Sequence, residues 1–376
     1  MAPDRLPFRS LAFALVPALA LPIVSGCGSD RSLDPAAPAP LGVPAAEGVL
    51  PDSGAMNGLG RMVVANRGSG TISVLDAASG TPAGTFALPS GPNPPEPMYV
   101  VYVKRTHAVL VGDRANSRVI EFDAGTFAVQ RTAPTGAGVF HMWTDPVRNR
   151  QLWVNNDVDK TVTVIDPVTF EVIETVPMPA DLVALGAKPH DVILDPDGGA
   201  AYVTFLGPGP SDHVVRFDTA TFGETARAEV GKDPHVSLTR RSDLLYVPCQ
   251  NSSVVEILDR RTLAPVGSLA VPGAHGAGMT QSGRYLYTTN LPGAGTDALW
   301  VVDTLTGTLA GEAADAPYPV PHNLALTTNG QRLFLTHSGG SADKVTFYAV
   351  SAGRPVPVLL GEATVGLNPF GIALVP

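Results

Sequence analysis

Only two cysteines, Cys27 and Cys249, occur in this 376-residue sequence, which leaves at most one disulfide to build with. Charge is also sparse: 16% of residues are Asp, Glu, Lys or Arg, and the formal net charge is −9. No run of Lys or Arg occurs anywhere, so the clustered basic face that a nucleic-acid phosphate backbone requires is missing, and nucleic acid is excluded as a partner. Phosphate loops, dinucleotide fingerprints, a nucleophile elbow and the C-x-x-C-H haem attachment motif are absent too, which excludes a nucleotide cofactor and covalent haem. Long apolar stretches are confined to Leu11–Val24, which Pro17 and Pro22 interrupt and which is too short for an easy membrane span. What the chain does have is 44% hydrophobic residues, enough for a large core, with 39 Gly and 36 Pro, a composition of many short strands and turns. All-β is the expected class.

Arg5 and Arg9 ahead of the apolar stretch give the pattern of an export signal, and Val24-Ser25-Gly26-Cys27 resembles the lipobox of bacterial lipoproteins. The expectation is a signal peptide over residues 1–27, lipidation of Cys27, and a chain exported and lipid-anchored in the cell envelope. Residues 28–56, rich in Ala, Pro and Gly, read as a tether, and Cys249 is then left without a disulfide partner.

From residue 57 onward one unit recurs. "RMVVANRGSGTISVLDAASG" (61–80), "AVLVGDRANSRVIEFDAGTF" (108–127), "LWVNNDVDKTVTVIDPVTF" (152–170) and "LLYVPCQNSSVVEILDRRTL" (244–263) each hold two strands of period-two alternation, the second ending in Asp. Asp76, Asp123, Asp166, Asp218, Asp259 and Asp303 stand three residues before a Ser or Thr, the spacing of an Asx-type turn rather than of a metal site. The strand heads are Pro97-Met98, Phe140-His141, Pro189-His190, Pro234-His235, Ala274-His275, Pro321-His322 and Pro369-Phe370, at intervals of 40 to 49 residues. That period predicts a seven-bladed β-propeller of four-stranded blades over residues 57–376, monomeric, in which the final strand "NPFGIALVP" completes the first blade and closes the ring. Units such as "KPHDVILDPDGGAAYVTF" and "DKTVTVIDPVTFEVIETVPM" resemble the YVTN-type β-propeller repeat family. The resemblance implies the same seven-bladed fold and an envelope location, and leaves function open between binding proteins and enzymes.

First strands line a propeller's channel and run in one direction, so their heads converge. His141, His190, His235, His275 and His322 are therefore expected as an arc at one channel mouth, closed by Met98 and Phe370. His337 and Cys249, at the ends of second strands, are expected close by. Crowded imidazoles cannot all be protonated, so they should be neutral and available as ligands. Imidazoles with the Met98 thioether and a Cys249 thiolate suit a transition metal, copper first and zinc otherwise. Redox or metal handling is the leading expectation, a non-catalytic platform with a protein partner on one face the alternative, and a lyase or lactonase at the same mouth the third. Whether the chain is an enzyme stays open at this point.

Overall fold

The computed structural model describes residues 58–293 and 295–376; the expected signal, lipobox and tether lie outside the described residues. Seven antiparallel sheets follow one another along the chain, six formed from consecutive strands and one shared by the two ends. In the shared sheet, Pro369–Val375 pairs with Arg61–Asn66, which pairs in turn with Thr71–Asp76 and Pro82–Ala87. This is the closed seven-bladed ring the repeat count requires. Among the described residues no helix is long and apolar enough to cross a membrane.

The second and third strands alternate or are wholly apolar because they are covered on both faces by neighbouring blades. Ala108–Asp113 is buried at every position, while the outermost strand Val172–Pro177 is exposed at five of its six. Each interface between successive blades carries its own apolar cluster, from Trp153 with Val192 and Phe217 to Met62 and Leu75 with Phe334 and Val345 at the closure. Burying a Leu, Val or Phe side chain contributes about 1.5–3 kcal/mol, so the closing interface is held by the same kind of packing as the rest.

The repeated acids close hairpins, as their spacing implies. Asp218 Oδ1 accepts hydrogen bonds from Ala220 N at 3.0 Å, Thr221 N at 2.8 Å and Thr221 Oγ1 at 3.0 Å. Asp76, Asp123 and Asp259 repeat the pattern. Asp303 departs from it by pairing with Arg284 at 3.0 Å. One residue beyond Thr169 and Thr221 the backbone turns left-handed at Phe170 (φ 63) and Phe222 (φ 58); the Phe222 ring packs against the Trp153 core, and Phe170 joins the neighbouring cluster of Leu152, Val154 and Ile165. At the same turn of the first blade stands Gly80 (φ 75), where a Cβ would meet the Phe347 ring at 2.2 Å.

Candidate functional site

The histidine layer begins with strand register. In six blades the pairing between first and second strands slips by one residue just after the head, as between Pro189↔Phe205 and Val192↔Val203. Such a bulge sets two successive residues against one on the partner strand and re-aims their side chains. In the fifth blade the head is a single bridge, Pro234↔Cys249, before the short strand Ser237–Leu238. The register also corrects one alignment. Val139 pairs with Asn156 as Pro189 pairs with Phe205, so Phe140 and not His141 is the counterpart of His190. The reason is an extra residue in the turn at 145–151, where Asn149 takes a left-handed φ of 46. His141 instead shares the next position with Tyr99, Asp191 and Asn323.

The head positions form a closed layer of rings. From Phe140 through His190, His235, His275 and His322 to Phe370, successive centroids lie 5.2, 4.7, 3.9, 4.9 and 4.1 Å apart. Phe140 and Phe370 close the circle at 6.1 Å, with Met98 fully buried at the seventh head. His190 is 1% exposed and His235 2%, so the layer is an interior floor and not an open mouth. On the head side, ion pairs sit over it: Arg114 and Lys188 with Asp157 at 2.9 and 3.3 Å, and Lys232 with Asp212 at 2.7 Å. On the other side lies a channel cavity of about 560 Å³, whose walls include Tyr99, His141, Asp191, His235 and Asn323. It runs along the first strands to exposed Lys104, Pro146, Thr328 and Pro376.

At the floor of that cavity the polar side chains are linked. Asn323 Nδ2 donates to the Tyr99 hydroxyl at 3.3 Å, which lies 2.6 Å from His141 Nε2. His141 Nδ1 lies 2.7 Å from Asp191 Oδ1, while Asp191 Oδ2 accepts from Val236 N at 2.9 Å and faces His235 Nδ1 at 3.6 Å. The two histidines beside it hold the Asp191 carboxyl well below its ordinary 3.8 against the opposing effect of burial. An ionised carboxylate only accepts, so His141 carries its proton on Nδ1, and the Tyr99 phenol donates to Nε2. Deeper still, His190 Nε2 and His235 Nε2 are 3.2 Å apart, with Asp233 Oδ1 at 3.5 Å from the first and 4.0 Å from the second. Desolvation lowers His141, His190, His275 and His322 from the ordinary 6.5, and the neighbouring histidines add to this for each. Neutral rings at neutral pH are the result.

The structure brings three of the expected ligands together. His141, His190 and His235 each offer a ligand atom, and these atoms all lie within 4.8 Å of one another. His275 and His322 occupy the layer beyond them, stacked at 4.9 Å, with His322 Nδ1 engaged by Asn323 Nδ2 at 2.9 Å. His337 points elsewhere: its Nδ1 faces Tyr318 O at 3.0 Å and its Nε2 Thr346 Oγ1 at 2.9 Å, and burial pushes it down to about 4. Cys249 sits in the core between the fourth and fifth blades, donating to Val247 O at 3.4 Å, and burial pushes its thiol upward, away from the thiolate a metal needs. Reading the heads alone missed Tyr99, Asp191, Asp233 and Asn323. Asp191 and Asp233 flank the Pro-His pairs in sequence, and the acid beside a histidine was the available signal.

No family model matches this chain, and no curated protein does. Solved structures do share its fold. The periplasmic gluconolactonase of Pseudomonas aeruginosa is 17% identical, with a TM-score of 0.67 over 84% of this chain and 99% of that one. A putative 6-phosphogluconolactonase from Bacteroides fragilis is 16% identical, with a TM-score of 0.64 over 84% of this chain and 98% of its own. The Kuenenia stuttgartiensis hydrazine synthase matches at 16% identity and a TM-score of 0.60, over 73% of this chain and 88% of that chain. At these identities the likeness is one of fold: the chain is a seven-bladed β-propeller with a buried histidine cluster at the floor of its channel.

Proposed function

We propose that this propeller is a metal-binding protein whose histidine cluster holds a transition metal at the base of the channel cavity, within reach of a small molecule. One observation carries the reading: His141, His190 and His235 are buried, and their ligand atoms lie within 4.8 Å of one another. His190 Nε2 and His235 Nε2 face each other at 3.2 Å with the Asp233 carboxylate beside them, and a shared divalent ion offsets the cost of burying these polar nitrogens. With Cys249 held in the core, the donors are nitrogen with carboxylate nearby, a set that suits zinc as well as copper. Bound there, the ion would supply Lewis acidity or redox capacity to whatever enters the cavity. Metal analysis of the purified chain after loading with zinc or copper tests this. One bound equivalent, lost in the His190→Ala, His235→Ala double variant, is expected; no bound metal in the unaltered protein rules the reading out.

A second reading rests on the Tyr99, His141 and Asp191 chain along the cavity wall. A phenol held 2.6 Å from an imidazole that a carboxylate orients is equipped for proton transfer to a small ester or lactone. Two of the fold's solved relatives carry lactonase names. Assay of gluconolactone hydrolysis decides it: turnover that falls at least tenfold in Tyr99→Phe supports it, and a rate equal to buffer sinks it. The envelope location is proposed on the lipobox residues alone, and palmitate labelling that persists in Cys27→Ala would overturn it.

A further inference from the structure

Within the metal reading, on which this inference rests, we propose that the ion's ligands are His190 Nε2, His235 Nε2 and Asp233 Oδ1, a two-histidine, one-carboxylate site, and that His141 serves beside it without binding metal.

The three atoms form a triangle with sides of 3.2, 3.5 and 4.0 Å. The centre of such a triangle lies about 2.1 Å from every corner, within the zinc to nitrogen and zinc to oxygen range of roughly 2.0–2.2 Å. An ion at that point meets all three distances as they stand. Displaced slightly toward one side, it would retain an open position, as catalytic metal sites do.

Asp233 Oδ1 supplies the independent sign. The residue is 4% exposed, and this oxygen is buried with no hydrogen-bond partner. Its other oxygen is only lightly held, by Asn251 Nδ2 at 3.4 Å. The nearest cation in sequence, Lys232, is committed to Asp212 at 2.7 Å. A carboxylate oxygen withdrawn from water and aimed at two imidazole nitrogens is costly to leave without a positive charge. The backbone is arranged to aim it there: Asp233 has a left-handed φ of 60, its N–H donates to Asp212 Oδ2 at 2.8 Å, and its carbonyl accepts from Gln250 N at 3.1 Å. Asp tolerates that conformation better than most residues.

His141 is excluded by its own partners. Tyr99 faces Nε2 at 2.6 Å and Asp191 faces Nδ1 at 2.7 Å, so no ring lone pair remains for an ion. Its contribution runs through Asp191, whose second oxygen faces His235 Nδ1 at 3.6 Å and so leaves His235 Nε2 as the ligand atom. Carboxylates behind metal-bound histidines commonly fix the tautomer in this way.

Cobalt(II) titration of the full chain, followed by its visible absorption and by competition with a zinc indicator, tests the assignment. The unaltered protein should bind one ion. Asp233→Asn, which keeps the left-handed backbone available and should retain the circular dichroism of the parent, should weaken binding at least tenfold and shift the absorption bands. Asp233→Glu should recover part of the affinity if the variant folds with the same spectrum. His141→Gln should leave the stoichiometry at one ion. Binding by Asp233→Asn equal to the parent, or loss of the ion in His141→Gln, overturns the ligand assignment while metal binding stands. Failure of the unaltered protein to bind cobalt, zinc or copper overturns both.

Discussion

Two sets of repeated residues invite the same inference and deserve opposite ones. The hairpin aspartates and the head histidines each recur blade after blade, and each type is a familiar ligand. The aspartates act within their own hairpins, as Asp218 does with Ala220 and Thr221, and even Asp303, which also reaches Arg284, stays within its own blade. The histidines meet residues from other blades: His190 with His235, His235 with His275, His275 with His322. Repetition by itself marks a structural device, and only convergence at the axis turns copies into a site.

The contrast is broken most severely by removing residues 369–376, which takes Phe370 from the layer and the closing strand from Arg61–Asn66 while sparing the aspartate turns. We expect loss of the cooperative thermal transition and of all metal binding. Survival of a sharp transition would show that the turns and blades suffice without the closed layer.

Acid should separate the two sets next. His141, His190, His275 and His322 titrate below 6.5 in the folded chain, so the unfolded chain takes up more protons as pH falls below 6.5. Stability then declines, by at most about 1.4 kcal/mol per histidine for each pH unit. The turn carboxylates at Asp218 and Asp259 are lowered by backbone N–H donors, with Thr221 and Thr262 foremost, so their stabilisation is lost only below 3.8. Melting curves of the metal-free chain should therefore fall between pH 7 and 5, and less steeply in His275→Gln. A flat profile over that window would contradict neutral burial of the layer.

Smaller effects follow at single positions. Asp218→Ala should lower the melting temperature by no more than roughly 4 °C and leave cobalt binding unchanged; a loss of binding would tie the rim to the axis. Tyr99→Phe, the mildest change, removes only the hydroxyl at 2.6 Å from His141 and should leave stability within about 1 kcal/mol of the parent.

The architecture was legible because a propeller's period and closure are written in linear order: heads 40 to 49 residues apart and a lone last strand admit few other arrangements. His190, His235, His275 and His322 were legible because each follows a Pro or Ala head. His141 was placed one step off because counting back from Asn156 cannot see the extra residue in the turn between them. Cys249 and His337 were drawn toward the arc by position along their strands, though their side chains face the blade interiors. Asp233 could be noticed beside Pro234-His235, but its direction could not, since it depends on a left-handed backbone fixed by Asp212 of a different hairpin.

Closure by Pro369–Val375 makes the last residues of the chain indispensable to the first blade. The strand Arg61–Asn66 pairs on one side with its neighbour Thr71–Asp76 and on the other with a strand some three hundred residues away, the same strand that carries Phe370 into the ring layer. Without that last segment the first sheet lacks its fourth strand and the ring layer lacks Phe370. The enclosed chamber is therefore only as secure as the antiparallel seam between the two ends of the chain.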